Sequence, residues 1–569
     1  MLRRFVSAVL AVALLASPAG AQRVGVGLGI GLGGAGGGGG TPALSGLNGT
    51  ATGNAATGTV VATPASTLTG CTWSIASQSN FAQASGTGVV TKAATNVTAG
   101  SYAPATTCTV TNAAQTITIS APLALTIAAG PATITSLLMG SRFATPTTGL
   151  SNTSDGNSNS RIASYNETGA TVTKLRTYNV DWRLVTANEV AGSSPISITQ
   201  TIEYPAGTVT RVTWGGAGST TISNTGDALA ESDELTLATP IPAGAMYWVR
   251  TYVSVAAGGI WPQPYIVQYT GAASLGEAQD FATGVDKTDG TAITNVVPAA
   301  QKYAYGPIAL VATAFDGTPV TKAFVGMGDS RVVGSSDKYD APATGRGNIG
   351  HMGKALAGNF PYLNMGLGGS TASTQPGNMA RRLALLAKLK PTHLYVSYSH
   401  NDLLAGRSAS QIAGDVSTIA GQLKAALPGV KVIWPTDQPS ASSSDGFGTP
   451  GGQTITASPA GVFTGGASSV RSTFNNMLRA GITNVDYVFD VADLLEVDGS
   501  NNLTRDGGLW RSGNGGTGTG YHSTYLGTTG TTAAATTDGT HEWSSTITAP
   551  GKGGIYILRD AARAQLGGW

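Results

Sequence analysis

Charge is scarce in this chain. Lys, Arg, Asp and Glu make up 11% of its 569 residues, and 32 basic against 30 acidic residues leave a formal net charge of +2. That balance gives no electrostatic case for nucleic acid or an anionic membrane as a partner. Cysteine is scarcer still, with only Cys71 and Cys108. Both lie in one early segment, where an oxidising compartment would allow a disulfide. Free thiols and a two-ligand metal site are the weaker readings, because no histidine lies nearby. No metal or organic cofactor is implied. Beyond the first 15 residues no apolar run reaches the length that spans a bilayer. Five histidines are present, His351, His393, His400, His522 and His541, so chemistry that needs an imidazole has few candidates.

What the chain does have is glycine, 80 residues of it, with abundant Ala, Ser and Thr. Met1-Leu-Arg-Arg4 is a short basic region, residues 5–15 are apolar, and Ala19-Gly-Ala21 offers a small-residue cleavage site. Residues 1–21 therefore read as a secretory signal peptide. No cysteine follows the cleavage site, so a lipoprotein anchor is not expected. The mature chain should be periplasmic or secreted, with no membrane insertion. Residues 22–40 are nearly all glycine and read as a flexible linker. From 41 to 130, short Thr- and Val-rich runs broken by Gly, Asn and Ser give an all-β pattern. With Cys71-Thr-Trp73 and the distant Cys108, this segment resembles a bacterial immunoglobulin-like module, read as a spacer in preference to an adhesion module.

Residues 131–315 alternate more clearly, at 171–178, 196–202 and 247–253, with Pro and Gly turns between. The pattern predicts a β-sandwich of jelly-roll type. Trp182, Trp214, Trp248, Trp261 and Tyr265 could include a sugar-stacking platform, since an aromatic face pairs an apolar plane with polar edges. A sandwich core needs large inward side chains too, and most of these aromatics fit that use.

The last segment, 316–569, alternates strand and helix and predicts an α/β domain with a parallel sheet between helical layers. Helices are expected at 378–389, 410–427, 467–480 and 554–566, and strands at 360–363, 394–398, 430–434 and 487–491. The organising stretch is Ala323-Phe-Val-Gly-Met-Gly-Asp-Ser-Arg-Val332. It reads as a buried strand that delivers Asp329-Ser330 to the carboxyl edge of the sheet, where ligands and catalytic groups gather in open α/β folds. Gly328 permits a sharp turn at the strand's end. Three further blocks follow in order: Asn364-Met-Gly-Leu-Gly-Gly-Ser-Thr371, Ser399-His-Asn-Asp402 and Asp538-Gly-Thr-His541.

These four ordered blocks resemble the SGNH hydrolase superfamily, the GDSL esterases and lipases. The resemblance covers roughly the last 250 residues. It implies Ser330 as nucleophile, His541 as general base and Asp538 as the residue that orients it. The backbone N–H groups of Ser330 and Gly369 and the side-chain amide of Asn401 would form the oxyanion hole. The chain departs from the family pattern twice. Arg331 stands where a leucine is usual, placing a cation beside the nucleophile, and Ser399 stands where a glycine opens the third block. Arg331 and His400 are candidate substrate contacts, and His522 is the rival of His541 as base. Residues 437–466 and 499–537 are long polar stretches; Arg505, Trp510, Arg511, Tyr521 and Tyr525 in the second are further candidate contacts.

A serine hydroxyl needs an adjacent base, and an imidazole titrating near neutrality suits that role. The expected protein is an exported serine esterase acting on acylated, most readily acetylated, polysaccharide. A lipase or arylesterase, a glycan O-acetyltransferase using the same acyl-enzyme, and a glycan-binding surface protein whose hydrolase domain has decayed are the alternatives.

Overall fold

A computed structural model of the chain describes residues 136–569, apart from 152–155, 186–187, 265–274, 282–283, 294–303, 336, 338–345, 347, 501–502, 513–534 and 543–553; before residue 136 it describes backbone strands only. The expected signal peptide, the Gly-rich linker, Cys71, the Cys108 side chain, Tyr265, Tyr521, His522 and Tyr525 lie outside the described residues. The chain divides into two compact units, 1–133 and 134–569. In the first, Thr116–Pro122, Ala105–Thr111 and Thr72–Ile75 form one antiparallel sheet. Gly100–Tyr102, Ala124–Ala128 and Asn48–Thr52 form another, the last pair parallel.

In the second unit the apolar run at 324–328 becomes a strand whose five residues are all buried. It lies inside a six-stranded parallel sheet. The order is Phe143–Ala144, Tyr362–Gly366, Phe324–Gly328, His393–Ser397, Lys431–Pro435, Tyr487–Phe489. Side chains alternate across a strand, so each face of the sheet needs its own cover. Phe324, Tyr362, Tyr395, Ile433 and Phe489 pack with the helices His351–Leu356 and Gly554–Gln565. Val325, Met327, Leu363, Val396 and Trp434 pack on the other face with Ala380–Leu389, Ala409–Ala426 and Val470–Ala480. The three-layer α/β arrangement follows. The longest of these helices starts at a capping box, Ser408 with Gln411, which satisfies two of the first turn's unpaired donors. Its buried stripe is Ile412, Val416, Ile419 and Leu423.

The region before the parallel sheet is β-rich. Leu137–Met139, Ala309–Asp316, Thr171–Val180 and Leu229–Glu231, with Leu235–Ile241 beside Thr171–Val180, form one antiparallel sheet. Val209–Arg211, Ile196–Glu203, Met246–Val255, Asn157–Tyr165 and Ala278–Phe281 form a second. Leu175, Tyr178, Ile202, Tyr247, Val249 and Leu310 from the two sheets share one apolar core. That core runs on without a break to Val325, Met327 and Leu363 of the parallel sheet. The two-residue strand Phe143–Ala144 extends the parallel sheet itself. A buried ion pair adds to the joint, with Glu189 accepting from Arg382 Nε at 2.8 Å and from the backbone N–H of Arg381 and Arg382.

Most of the aromatics serve the core, the use the sequence favoured over a sugar-stacking platform. Trp182, Trp248 and Trp261 are buried, and Trp214 packs partly buried against the core. The large volume of an indole is here spent filling the space between sheets rather than facing solvent.

Candidate active site

Ser330 stands at the end of the Phe324–Gly328 strand, as the first residue of a one-turn helix, Ser330–Val333. Asp329 precedes it, fully buried, accepting the backbone N–H of Arg331 at 3.0 Å and donating its own N–H to the carbonyl of Ser397 at 2.9 Å. The glycine at 328 is required for a different reason than a turn. Its backbone is not left-handed; a Cβ there would run into the Ser397 carbonyl and Val332 of the crowded neighbours.

The second and third blocks are tied together. Asn401 Nδ2 donates to the carbonyl of Ser370 at 2.9 Å, and buried Asp402 accepts the backbone N–H groups of Ala372 at 2.5 Å and Ser373 at 3.2 Å. The Gly-rich turn is thus fixed by the short helix Ser399–Leu404. Gly369 has φ +78°, a left-handed conformation that favours glycine. Asn364 ties the same turn to the nucleophile, donating to the Val332 carbonyl at 2.8 Å. The backbone N–H groups of Ser330 and Gly369 have no acceptor among the described residues.

The fourth block meets the first from the far end of the chain. His541 Nε2 lies 2.7 Å from Ser330 Oγ, and His541 Nδ1 lies 2.7 Å from Asp538 Oδ2. Asp538 also accepts the backbone N–H of Thr540 at 2.9 Å and of His541 at 2.8 Å, which folds the block into an Asx-type turn. Several groups hold that turn from outside. The Gly539 carbonyl accepts from Trp510 Nε1 at 2.9 Å and from the Ala441 N–H at 3.1 Å, and the Gly539 N–H donates to Thr536 Oγ1 at 2.9 Å. Gly539 has φ +75°, and a Cβ on it would strike the Ala441 carbonyl.

Arg331 and His400, expected as substrate contacts, are buried instead of lining an open surface. Arg331 is 4% exposed and His400 3%. Both turn inward to Asp437, a residue that the sequence reading passed over as the start of a polar stretch. Arg331 Nη1 lies 3.1 Å and His400 Nδ1 2.8 Å from Asp437 Oδ1, while Ser399 Oγ donates to Oδ2 at 3.0 Å. Burial alone would raise the Asp437 pKa, but Arg331 and then His400 hold it well below the usual carboxylate value. Burial opposes the charge on Arg331 as well, and Asp437, Asp329 and Glu542 overcome it, raising its pKa. Burial, then the Arg331 cation, lowers His400 to about 4. Asp437 follows the Lys431–Pro435 strand at the same sheet edge as Ser330; that position was the signal available to find it.

Two other buried carboxyls lie close by. Burial pushes Asp329 up to about 6 and Glu542, the neighbour of His541, up to about 7, with Arg331 opposing both. Glu542 accepts from the Gln438 side chain. Of the other sequence candidates, Arg505 is exposed and paired with Asp493 at 2.8 Å, and Arg511 is buried. Trp510 is buried against the His541 turn, so its indole supports that turn instead of a ligand. His351 and His393 pack inside, the first 2.9 Å from the Tyr395 hydroxyl and the second stacked 4.7 Å from Phe324.

A serine hydroxyl, an imidazole and a carboxylate linked in series at the carboxyl edge of a parallel α/β sheet form the arrangement that serine hydrolases use. Residues 327–527 match the GDSL-like lipase/acylhydrolase family model, so the C-terminal part of the chain is a GDSL-like lipase/acylhydrolase domain, a serine ester hydrolase. The match takes in Ser330, Gly369 and Asn401 and ends before Asp538. No curated protein matches the chain. Among solved structures, it is similar to a member of the lipolytic G-D-S-L family from Veillonella parvula, at 18% identity over 31% of this chain and 80% of that one, TM-score 0.21. The native aryl esterase of M. smegmatis matches at 16% identity over 44% and 99%, TM-score 0.25. AlinE4, an SGNH-hydrolase family esterase, matches at 16% over 30% and 77%, TM-score 0.21. All three likenesses are distant.

Proposed function

We propose that this protein is an exported serine esterase that removes acyl groups, acetyl foremost, from a polysaccharide by way of an acyl-enzyme. The observation that carries the hydrolytic part is the unbroken chain of hydrogen bonds from Ser330 through His541 to Asp538, two links of 2.7 Å each. Ser330 Oγ attacks the ester carbonyl as its proton passes to His541 Nε2. Asp538 keeps the remaining proton on Nδ1 and stabilises the imidazolium. The tetrahedral oxyanion is met by the N–H groups of Ser330 and Gly369 and by the second amide hydrogen of Asn401, whose first is committed to Ser370. His541 then protonates the leaving alcohol, and water hydrolyses the acyl-enzyme by the same route in reverse.

The leader-like N-terminus and the β-rich regions support export and a polymeric substrate. The burial of Trp182, Trp248 and Trp261 takes sugar stacking away from those side chains, so glycan recognition in this reading lies near the site itself. The test is release of acetate from acetylated polysaccharides and of p-nitrophenol from short and long acyl esters. Ser330→Ala should lower turnover on the order of 10⁶-fold. Acetate release with a preference for short acyl chains supports the reading; preference for long chains points to a lipase, and glycan binding without turnover points to the decayed enzyme.

A further inference from the structure

We propose that the buried pair Arg331–Asp437 is a positioning device that cross-ties the nucleophile to the base. The inference rests on the reading of Ser330 and His541 just given. Arg331 follows Ser330 directly, so its backbone moves with the nucleophile. Its guanidinium spans two partners: Nη1 reaches Asp437 Oδ1 at 3.1 Å, while Nε and Nη2 grip the carbonyl of Thr540 at 3.3 and 3.2 Å. That carbonyl belongs to the peptide unit whose nitrogen is His541 N. The unit is planar, so holding its oxygen sets the direction in which the His541 backbone leaves it.

The anchor end is equally fixed. The Asp437 carboxylate also takes Ser399 Oγ and His400 Nδ1. Its backbone N–H donates to Asn475 Oδ1 at 2.7 Å, and its carbonyl accepts from Asn475 Nδ2 at 2.9 Å and Arg471 Nη1 at 3.1 Å. Arg471 is itself paired with Glu496. The two positions at which this chain departs from the family pattern, Arg331 and Ser399, thus converge on one carboxylate. A planar guanidinium holds two acceptors in one fixed geometry, whereas an ammonium presents rotatable donors on a flexible stem and does not fix their relative directions. A buried pair is a weak source of stability compared with apolar packing of the same volume. Orientation of the catalytic imidazole is the role that the geometry favours.

The test uses the full chain carrying Arg331→Lys, Arg331→Met, or Arg331→Met with Asp437→Asn. Three readouts apply: the melting temperature, the rate at which diisopropyl fluorophosphate labels Ser330 with loss of fluoride, and the low-field proton resonance of His541 Nδ1–H facing Asp538. Arg331→Lys should melt near the wild type yet label about 10- to 100-fold more slowly, the scale of a misplacement near 1 Å. With an ester substrate kcat should fall and KM stay. The double variant should regain the melting temperature that Arg331→Met loses, because no unpaired carboxylate is left buried, but not the labelling rate. Wild-type labelling rates and an unshifted resonance in folded Arg331→Lys and double variants would overturn the proposal. If the wild type itself is not labelled at Ser330, the nucleophile reading has failed. The low-field resonance then decides this one alone: shifted in the variants it stands, unshifted it falls.

Discussion

The two halves of the catalytic arrangement are held in place by different means. Ser330, the Gly-rich turn and Asn401 sit on or directly after strands of the parallel sheet, and their geometry comes from backbone close to backbone. Gly328 and Gly366 leave no room for a Cβ, and Asp402 pins two consecutive N–H groups. Asp538 and His541 belong to no regular element. They hang from the side chains of Arg331, Trp510 and Thr536 and from the backbone of Ala441. A sheet edge supplies positional precision from its own ladder, whereas a turn far along the chain must borrow it from buried polar anchors, each of which must be satisfied. Substitutions in the first half should therefore change rate with little change in fold, and substitutions in the second should change both.

Asn401→Ala is the strongest test on the sheet-built side. It removes one oxyanion donor and should lower kcat by about 10²- to 10³-fold with KM and melting temperature nearly unchanged. A large fall in melting temperature would mean that the bond to Ser370 is the main business of this side chain. On the hanging side, Gly539→Ala forces a side chain into a left-handed position against the Ala441 carbonyl. The turn must shift, and kcat should fall about 100-fold together with a lower melting temperature. Trp510→Phe is gentler. It keeps the ring and removes one donor to the Gly539 carbonyl, leaving that group to Ala441 alone. About 1 kcal/mol of stability and a several-fold loss of kcat are expected, read by thermal melting and ester turnover.

The same contrast governs what the sequence could show. A short apolar run exposed the buried strand at 324–328, helical spacing exposed the helix with Ile412, Val416, Ile419 and Leu423 on one face, and short motifs exposed the four blocks, whose side chains the structure brings to one edge. Each of those signals is local. Asp437 stayed hidden because its partners Arg331, Ser399 and His400 come from two other strand ends, and no spacing in the chain records such a meeting. The strand Phe143–Ala144 is two residues long and leaves no periodicity at all. The tryptophans were ambiguous for a related reason: an indole is equally suited to a core and to a sugar face, and the tertiary packing of the two sheets decides for the core that the sequence favoured.

A last expected effect is read in stability rather than rate, as a buried base in one half and a buried acid in the other that respond to pH with opposite signs. Under the sheet, burial and then the Arg331 cation hold His351 neutral, with its pKa lowered to about 3 from an ordinary value near 6.5. The unfolded chain takes up that proton below pH 6.5 while the folded chain does not, so this group's stability is present above 6.5 and lost as pH falls towards 3. The ring faces Tyr395, Phe489 and, at longer range, Arg331, none of which is an anion that would offset the loss. On the hanging side Glu542 runs the other way. Burial raises it to about 7 despite Arg331 and His541, so its stability is present below the unfolded value near 4.5 and lost as pH rises through 7. Melting curves from pH 4 to 8 should then show His351→Gln gaining on the wild type as pH falls and Glu542→Gln gaining as pH rises, the second difference levelling off above pH 7. The opposite slopes have one cause, burial disfavouring charge on a base in one half and on an acid in the other; a flat difference for either variant would mean that the charged form of that group finds a partner in the fold.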